Sequence, residues 1–245
     1  HATSVHDNRR SQHPEVPWRT EWPLRMINGS LQEEITLLVA SLQGQGLVSA
    51  IQVCVVHNGV VVVDVAVGPT DKLTSTEGSV NNDIRSDSIF NSFSCTKALV
   101  ATALHLLISE GKAAYHDKVS KHWPAFGGGG KSDITIEEMM SHRAGLHSLL
   151  PENLSLHMLC DWSRMCSFFE EAKPSEGYDD GMARYHALTY GWICGRLIEI
   201  LNGGVPFSEF VRTRIAVPLG LENELVVGVP EEWTRPTCDP RHSET

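Results

Sequence analysis

Asn91-Ser92-Phe93-Ser94-Cys95-Thr96-Lys97, followed by the apolar run over residues 98–108, is the stretch on which the reading of the chain turns. The run predicts a helix, and Gly111 predicts its end. Ser94 and Lys97 are three residues apart, which on a helix puts their side chains on one face, about 5 to 6 Å apart at Cβ. A serine at a helix start with a lysine one turn later reads as a nucleophile with a built-in base. The positive end of the helix macrodipole disfavours an ammonium at Lys97 and favours an oxyanion forming beside Ser94. Packing of Lys97 against Phe90, Phe93 and the apolar helix is expected to push it further toward neutrality, and the Ser94 backbone N–H, free in the first turn, is an oxyanion donor. A Ser-x-x-Lys match is short enough to arise by chance, and Ser109-Glu110-Gly111-Lys112 is one, at the helix end where the dipole has the wrong sign. Cys95, beside the serine, points to another helix face and reads as packing.

Upstream, Ser30-Leu31-Gln32-Glu33 is a capping box, and Leu31, Ile35, Leu38, Val39 and Leu42 recur at helical spacing until Gly44 and Gly46. Residues 49–56 and 60–67 are β-branched runs joined by His57-Asn58-Gly59, in which Asn-Gly predicts a tight hairpin. Residues 68–88 read as a loop. Residues 1–25, with Pro14, Pro17 and Pro23, read as a linker or surface arm. Downstream, residues 117–130 read as irregular, and Thr135-Ile136-Glu137-Glu138 is a second capping box, with Gly145 closing its helix. Residues 148–173 read as partly helical. Residues 185–201 predict a helix with Leu188, Trp192, Leu197 and Leu201 on its buried side, and Pro206 opens a further short one. The order of helix, hairpin and mainly helical block is an α+β pattern without internal repeat.

Composition narrows the function classes. A formal net charge of −10 over 245 residues, with no Lys/Arg cluster, argues against nucleic acid or an anionic membrane as partner. No apolar run approaches the roughly 18 to 20 residues of a membrane-spanning helix. The six cysteines are scattered without a C-x-x-C pair, so they signal neither zinc nor a disulfide framework and read as reduced thiols of a protein in the cytoplasm or an organelle. His142 and His147 read as turn or core histidines, and residues 127–130 lack the following Lys-Ser/Thr of a phosphate-binding loop.

Asp87-Ser88-Ile89-Phe90 leading into Ser92–Lys97, then Leu107 with Glu110-Gly111-Lys112, resembles the nucleophile segment and helix ending of the serine β-lactamase-like family: class C β-lactamases, D-alanyl-D-alanine carboxypeptidases and related esterases. Residues 134–146, which contain Ser141-His142-Arg143-Ala144-Gly145-Leu146, are similar to the family's turn after the second helix, and Pro218-Leu219-Gly220-Leu221 to the close of its helical region. The resemblance covers about Leu31 to Pro230. It implies a helical region packed on an antiparallel sheet that is incomplete in this chain, with residues 26–230 forming the N-terminal portion of the domain and residues 231–245 an irregular tail.

The resemblance also makes Tyr185, in Tyr185-His186-Ala187, the residue that relays the proton between Ser94 and the leaving group. Class C enzymes carry Asn where Ala187 stands, and its loss tilts the expectation toward an esterase. The family's third motif, Lys or His, then Thr or Ser, then Gly on a late strand, is not in the chain, which implies a half-built site and an unpaired sheet edge. The expectation is a serine hydrolase acting through an acyl-enzyme on a small-molecule ester, less readily an amide or β-lactam, through Ser94, Lys97 and Tyr185 and without cofactor or metal. The alternative is a catalytically inactive domain kept for binding or assembly, or an inactive truncated form. Oligomeric state and substrate identity are not legible.

Overall fold

The computed structural model describes residues 30–69, 83–174 and 181–228, together with the backbone of residues 237 and 238. The expected arm over residues 1–25 and most of the loop after Gly68 lie outside the described residues. The chain divides into two compact units, the first reaching Pro69 and including Asp83–Ser86, the second holding the described residues from Asp87 onward.

In the first unit, helix α1 (Leu31–Gly44) opens on its capping box: Ser30 Oγ accepts the Glu33 N–H and the Glu33 carboxylate accepts the Ser30 N–H. The hairpin follows as β1 (Ile51–His57) and β2 (Val60–Val67), antiparallel and turned by Asn58 and Gly59, both at positive φ. A register shift between Val55 and Val56 makes the pairing irregular. Val39 of α1 packs with Val63 and Val65 of β2, and Ile35, Ile51, Val53 and Val67 close around them. Gln32 ties helix to strand as a peptide would: its Nε2–H donates to Asp64 O (3.2 Å) and its Oε1 accepts the Asp64 N–H (2.9 Å). Gly68 is obligatory, since a Cβ there would lie 2.4 Å from Ser49 O.

The second unit begins with β3 (Ile89–Phe90), whose partner is the two-residue strand β4 (Thr237–Cys238), in parallel register. The tail over residues 231–245 therefore contains a short strand where the sequence predicted only irregular chain; its alternating pattern is too brief to register. A 3₁₀ turn over Phe93–Cys95 leads into α2 (Thr96–Ser109). Within 117–130, expected to be irregular, lie helix α3 (Val119–His122) and a 3₁₀ segment over Pro124–Gly130. Helix α4 (Ile136–Met140) has its predicted capping box but ends at Met140, before Gly145. Residues 148–173 hold α5 (Leu156–Cys160) and α6 (Trp162–Glu171), capped by Ser155 and Asp161. Helices α7 (Thr189–Leu201) and α8 (Phe207–Val211) follow.

The core of this unit lies between α2 and α7. Val100, Ala103, Leu104 and Leu107 form the buried stripe of α2, at i, i+3, i+4 and i+7. On α7 the buried stripe is Tyr190, Ile193, Cys194, Leu197 and Ile198, while Leu188 is exposed and outside the helix. Of the predicted stripe, Leu197 is buried and Trp192 and Leu201 pack partly buried against the core, so the buried face is wider than predicted rather than elsewhere, because α7 is covered on most of its circumference. Gly195 lets the Trp162 ring against α7; a Cβ there would lie 2.9 Å from it.

Candidate active site

The nucleophile segment is built from a turn. Asn91 Oδ1 accepts the Phe93 N–H (3.1 Å) and Ser92 O accepts the Cys95 N–H (3.0 Å), an Asx turn running into a 3₁₀ turn. The Ser94 N–H between them has no partner among the described residues. Phe93 takes φ +42°, a left-handed backbone that a bulky side chain adopts only under constraint. Ser94 therefore stands in the turn before α2, not in its first turn, with Oγ exposed.

Lys97, one turn on, reaches back so that its Nζ lies 3.2 Å from Ser94 Oγ. The same Nζ donates to Ala187 O at 2.8 Å, ninety residues away in sequence. Tyr185 completes the cluster: its hydroxyl hydrogen-bonds the side chains of Ser94 and Lys97, and these bonds, with the nearby Lys97 charge, hold the phenol below its ordinary pKa. Lys97 Nζ sits 4.8 Å from the centre of the Tyr185 ring and 5.9 Å from that of Tyr190. The structure thus brings Ser94, Lys97 and Tyr185 together.

Three details differ from expectation. Phe93 is 65% exposed and Lys97 half-buried, so the apolar packing expected around the lysine does not form; the left-handed turn swings Phe93 outward. Tyr185 lies in the segment before α7, four residues short of its first turn, because Leu188 is the N-cap. Cys95 is exposed and packs against no core. The chance match behaves as such: Ser109 Oγ donates to Leu106 O of its own helix at 2.7 Å.

Behind Tyr185 stand two histidines to which the sequence reading gave no part in the site. His186 is fully buried; its Nε2 accepts the Leu146 N–H (3.0 Å), and its Nδ1–H donates to Arg184 O (2.7 Å). Both nitrogens are satisfied only in the neutral ring, and burial pushes its pKa down to about 4. His142, at φ +62°, is half-buried; burial and the Lys97 charge lower its pKa as well. Its ring lies 5.0 Å from Tyr185, 4.9 Å from Tyr190 and 5.5 Å from His186. The signal for these residues was present, since His186 follows Tyr185 directly and His142 opens the turn similar to the family's, but a histidine's partner forty residues away leaves no spacing rule to read. Among the described residues no three His, Cys, Asp or Glu side chains gather as a metal site would require.

The Beta-lactamase family model matches residues 35–237. The chain is 35% identical over 127 residues to Esterase/beta-lactamase LipL of Mycobacterium tuberculosis, a match spanning 52% of this chain and 28% of that protein. Its fold is similar to the crystal structure of a family VIII carboxylesterase (TM-score 0.71, 25% identity, 84% of this chain and 54% of that one). EstA from Arthrobacter nitroguajacolicus Rue61a is similar as well (TM-score 0.60, 31% identity, 80% of this chain and 48% of that one). The chain thus spans about half the length of these two structures and less of LipL. The family match reaches from α1 through the nucleophile turn to β4, and the two solved structures are similar in fold, so the chain belongs to the β-lactamase family and is related to its serine hydrolases and esterases.

Proposed function

We propose that the protein is a serine hydrolase that forms an acyl-enzyme on Ser94 and takes a carboxylic ester in preference to an amide or a β-lactam. The observation that carries this reading is the contact of Lys97 Nζ and the Tyr185 hydroxyl with Ser94 Oγ. Ser94 Oγ attacks the ester carbonyl carbon as its proton passes to the Tyr185–Lys97 pair. The lowered phenol pKa supports Tyr185 as the acceptor, and the bond from Lys97 to Ala187 O supports Lys97 as the cation that steadies it. The carbonyl oxygen gathers negative charge beside the Ser94 N–H, which has no partner among the described residues. The tetrahedral intermediate expels the alkoxide, which takes the proton back from Tyr185, and water then attacks the acyl carbonyl by the reverse route to release the acid and restore Ser94.

Two observations support an ester. The relatives at 25% identity and above include Esterase/beta-lactamase LipL and a family VIII carboxylesterase. Position 187 is alanine, whose methyl offers no side-chain amide to grip a peptide-like substrate, while its carbonyl accepts from Lys97.

The test is labelling of the full-length protein with a fluorophosphonate probe, alongside Ser94→Ala and Tyr185→Phe. Covalent labelling of the wild type is expected, lost in Ser94→Ala and strongly slowed in Tyr185→Phe. A folded wild type that shows no Ser94-dependent labelling overturns the proposal and leaves the non-catalytic reading. Faster acylation by penicillin than by an aryl ester overturns the ester preference alone.

A further inference from the structure

Tyr185 lies outside any helix, yet its hydroxyl has to be held against Ser94 and Lys97. The segment that carries it is fastened by one residue on the far side of the turn after α4. His142 O accepts the Arg184 N–H (2.9 Å), and His142 Nδ1 accepts the His186 N–H (3.2 Å). These are the two residues flanking Tyr185, so the backbone on both sides of it is bound to His142. The His142 ring then lies against the ring of Tyr185 itself, 5.0 Å between centres at 57°. Its other neighbours are Tyr190 and the stacked ring of His186.

From this geometry we propose that His142 is the positioning residue of the site: through its carbonyl, Nδ1 and ring it fixes the Arg184–His186 segment and so aims the Tyr185 hydroxyl at Ser94. The inference rests on the hydrolase reading above, and adds to it a residue that touches neither substrate nor Ser94. An acceptor at Nδ1 requires the proton to sit on Nε2, the neutral tautomer. Protonation of His142 removes the acceptor from the His186 N–H and sets a second cation beside Lys97. The titratable groups facing it are Lys97 from α2, Tyr190 from α7, and Tyr185 and His186 from the segment it holds. Burial holds His186 at a pKa of about 4, so its own protonation falls at the acid end.

The left-handed backbone at residue 142 supplies well-separated variants. His142→Gly suits φ +62° and keeps the carbonyl bond to Arg184, but lacks the ring and the Nδ1 acceptor. His142→Asn also tolerates that backbone and offers Oδ1 near the place of Nδ1, without titrating. The experiment measures the rate of Ser94 labelling by the fluorophosphonate across pH in the full-length wild type, the two variants and Ser94→Ala, each confirmed as folded by its urea unfolding transition.

His142→Gly is expected to label on the order of 10²-fold more slowly, the scale of a misplaced catalytic group. His142→Asn is expected to stay within several-fold of wild type at pH 7.5 and to lose the part of the acid fall-off that His142 contributes. Three results overturn the proposal: a folded His142→Gly that labels at the wild-type rate, an Asn variant as slow as the Gly variant, or an Asn variant whose acid limb is unchanged. Absence of labelling in the wild type removes the hydrolase reading and this proposal with it, whereas a labelled wild type with an unaffected Gly variant removes this proposal alone.

Discussion

Burial of His186 makes a stability prediction with a defined sign. The ring is fully enclosed, with Nε2 accepting the Leu146 N–H and Nδ1–H donating to Arg184 O, so an added proton would set an N–H of Nε2 against the Leu146 N–H. Its folded pKa is about 4 against 6.5 for a free histidine. The folded state therefore refuses a proton that the unfolded chain binds as pH falls through 6.5, and stability drops with falling pH until about pH 4, where the folded ring protonates too. At about 1.4 kcal/mol per pKa unit the full loss is roughly 3 kcal/mol, of which about 2 kcal/mol falls between pH 7 and pH 5. Asp117, held below the usual carboxylate range by hydrogen bonds from Lys121 and His122, has the opposite ionic character and loses its contribution only at lower pH, so it is silent in this window. His142 shifts in the same direction as His186 and adds to the effect. His186→Gln separates the two, since a Gln Oε1 accepts the Leu146 N–H without titrating. Urea unfolding at pH 7 and pH 5 should show wild type losing about 2 kcal/mol more than the Gln variant. Equal losses in the two proteins would refute the assignment of the acid sensitivity to His186.

Two further outcomes follow from the packing. Phe93→Gly should be more stable than Phe93→Ala by about 1 kcal/mol in urea unfolding, because both discard the same exposed ring while only glycine relieves φ +42°; an Ala variant as stable as the Gly variant removes the strain argument. Lys131 is fully buried, and its Nζ donates to Gly128 O (2.6 Å), to Ala172 O and, more weakly, to Glu170 O (3.5 Å), with burial lowering its pKa. Lys131→Met fills the same channel but strips those carbonyls of their donor, at a cost of about 1 to 3 kcal/mol by the same measurement; a neutral result would mean that water satisfies the carbonyls in the variant.

Local rules carried much of the fold. The two capping boxes, the Asn58-Gly59 turn and the apolar run of α2 are each written within a few consecutive residues, and each formed where those residues stand. The features that were not legible depend on distant partners. Pairing of β3 with Thr237–Cys238 joins segments about 150 residues apart, and neither is long enough to show a period. The predicted stripe of α7 was too narrow: Leu197 is buried and Trp192 and Leu201 pack against the core, but Tyr190, Ile193, Cys194 and Ile198 were left unmarked, on a helix where Gly195 also admits Trp162. In the site, the Ser94–Lys97 spacing was local and readable, and Tyr185 came through likeness to a family. That Ala187 receives Lys97 by its carbonyl was invisible, since a main-chain acceptor has no residue signature.

Backbone strain ties these observations to one another. Asn58, Phe93 and His142 are the non-glycine residues at positive φ among those described. Asn58 has a local reason, because a tight hairpin asks for it and Asn tolerates it. Phe93 and His142 have none: each carries a ring that an ordinary turn would not choose, at a cost of about 1 to 3 kcal/mol apiece. One directly precedes Ser94, whose N–H has no partner among the described residues; the other grips the residues on either side of Tyr185. Relaxing Phe93 into an extended or helical φ would rotate the Ser94 N–H and Oγ together, and relaxing His142 would release Tyr185, so neither strain can be shed without dismantling the contact among Ser94, Lys97 and Tyr185. A fold selected for stability alone would put glycine at both positions. Asn91 Oδ1 holds the first turn from one side and the buried stripe of α2 from the other, while the second turn is held by α4 and by the backbone of the very segment it positions. The strain therefore sits where rigid helices meet the two turns that present the reactive groups, which is where it can set their aim.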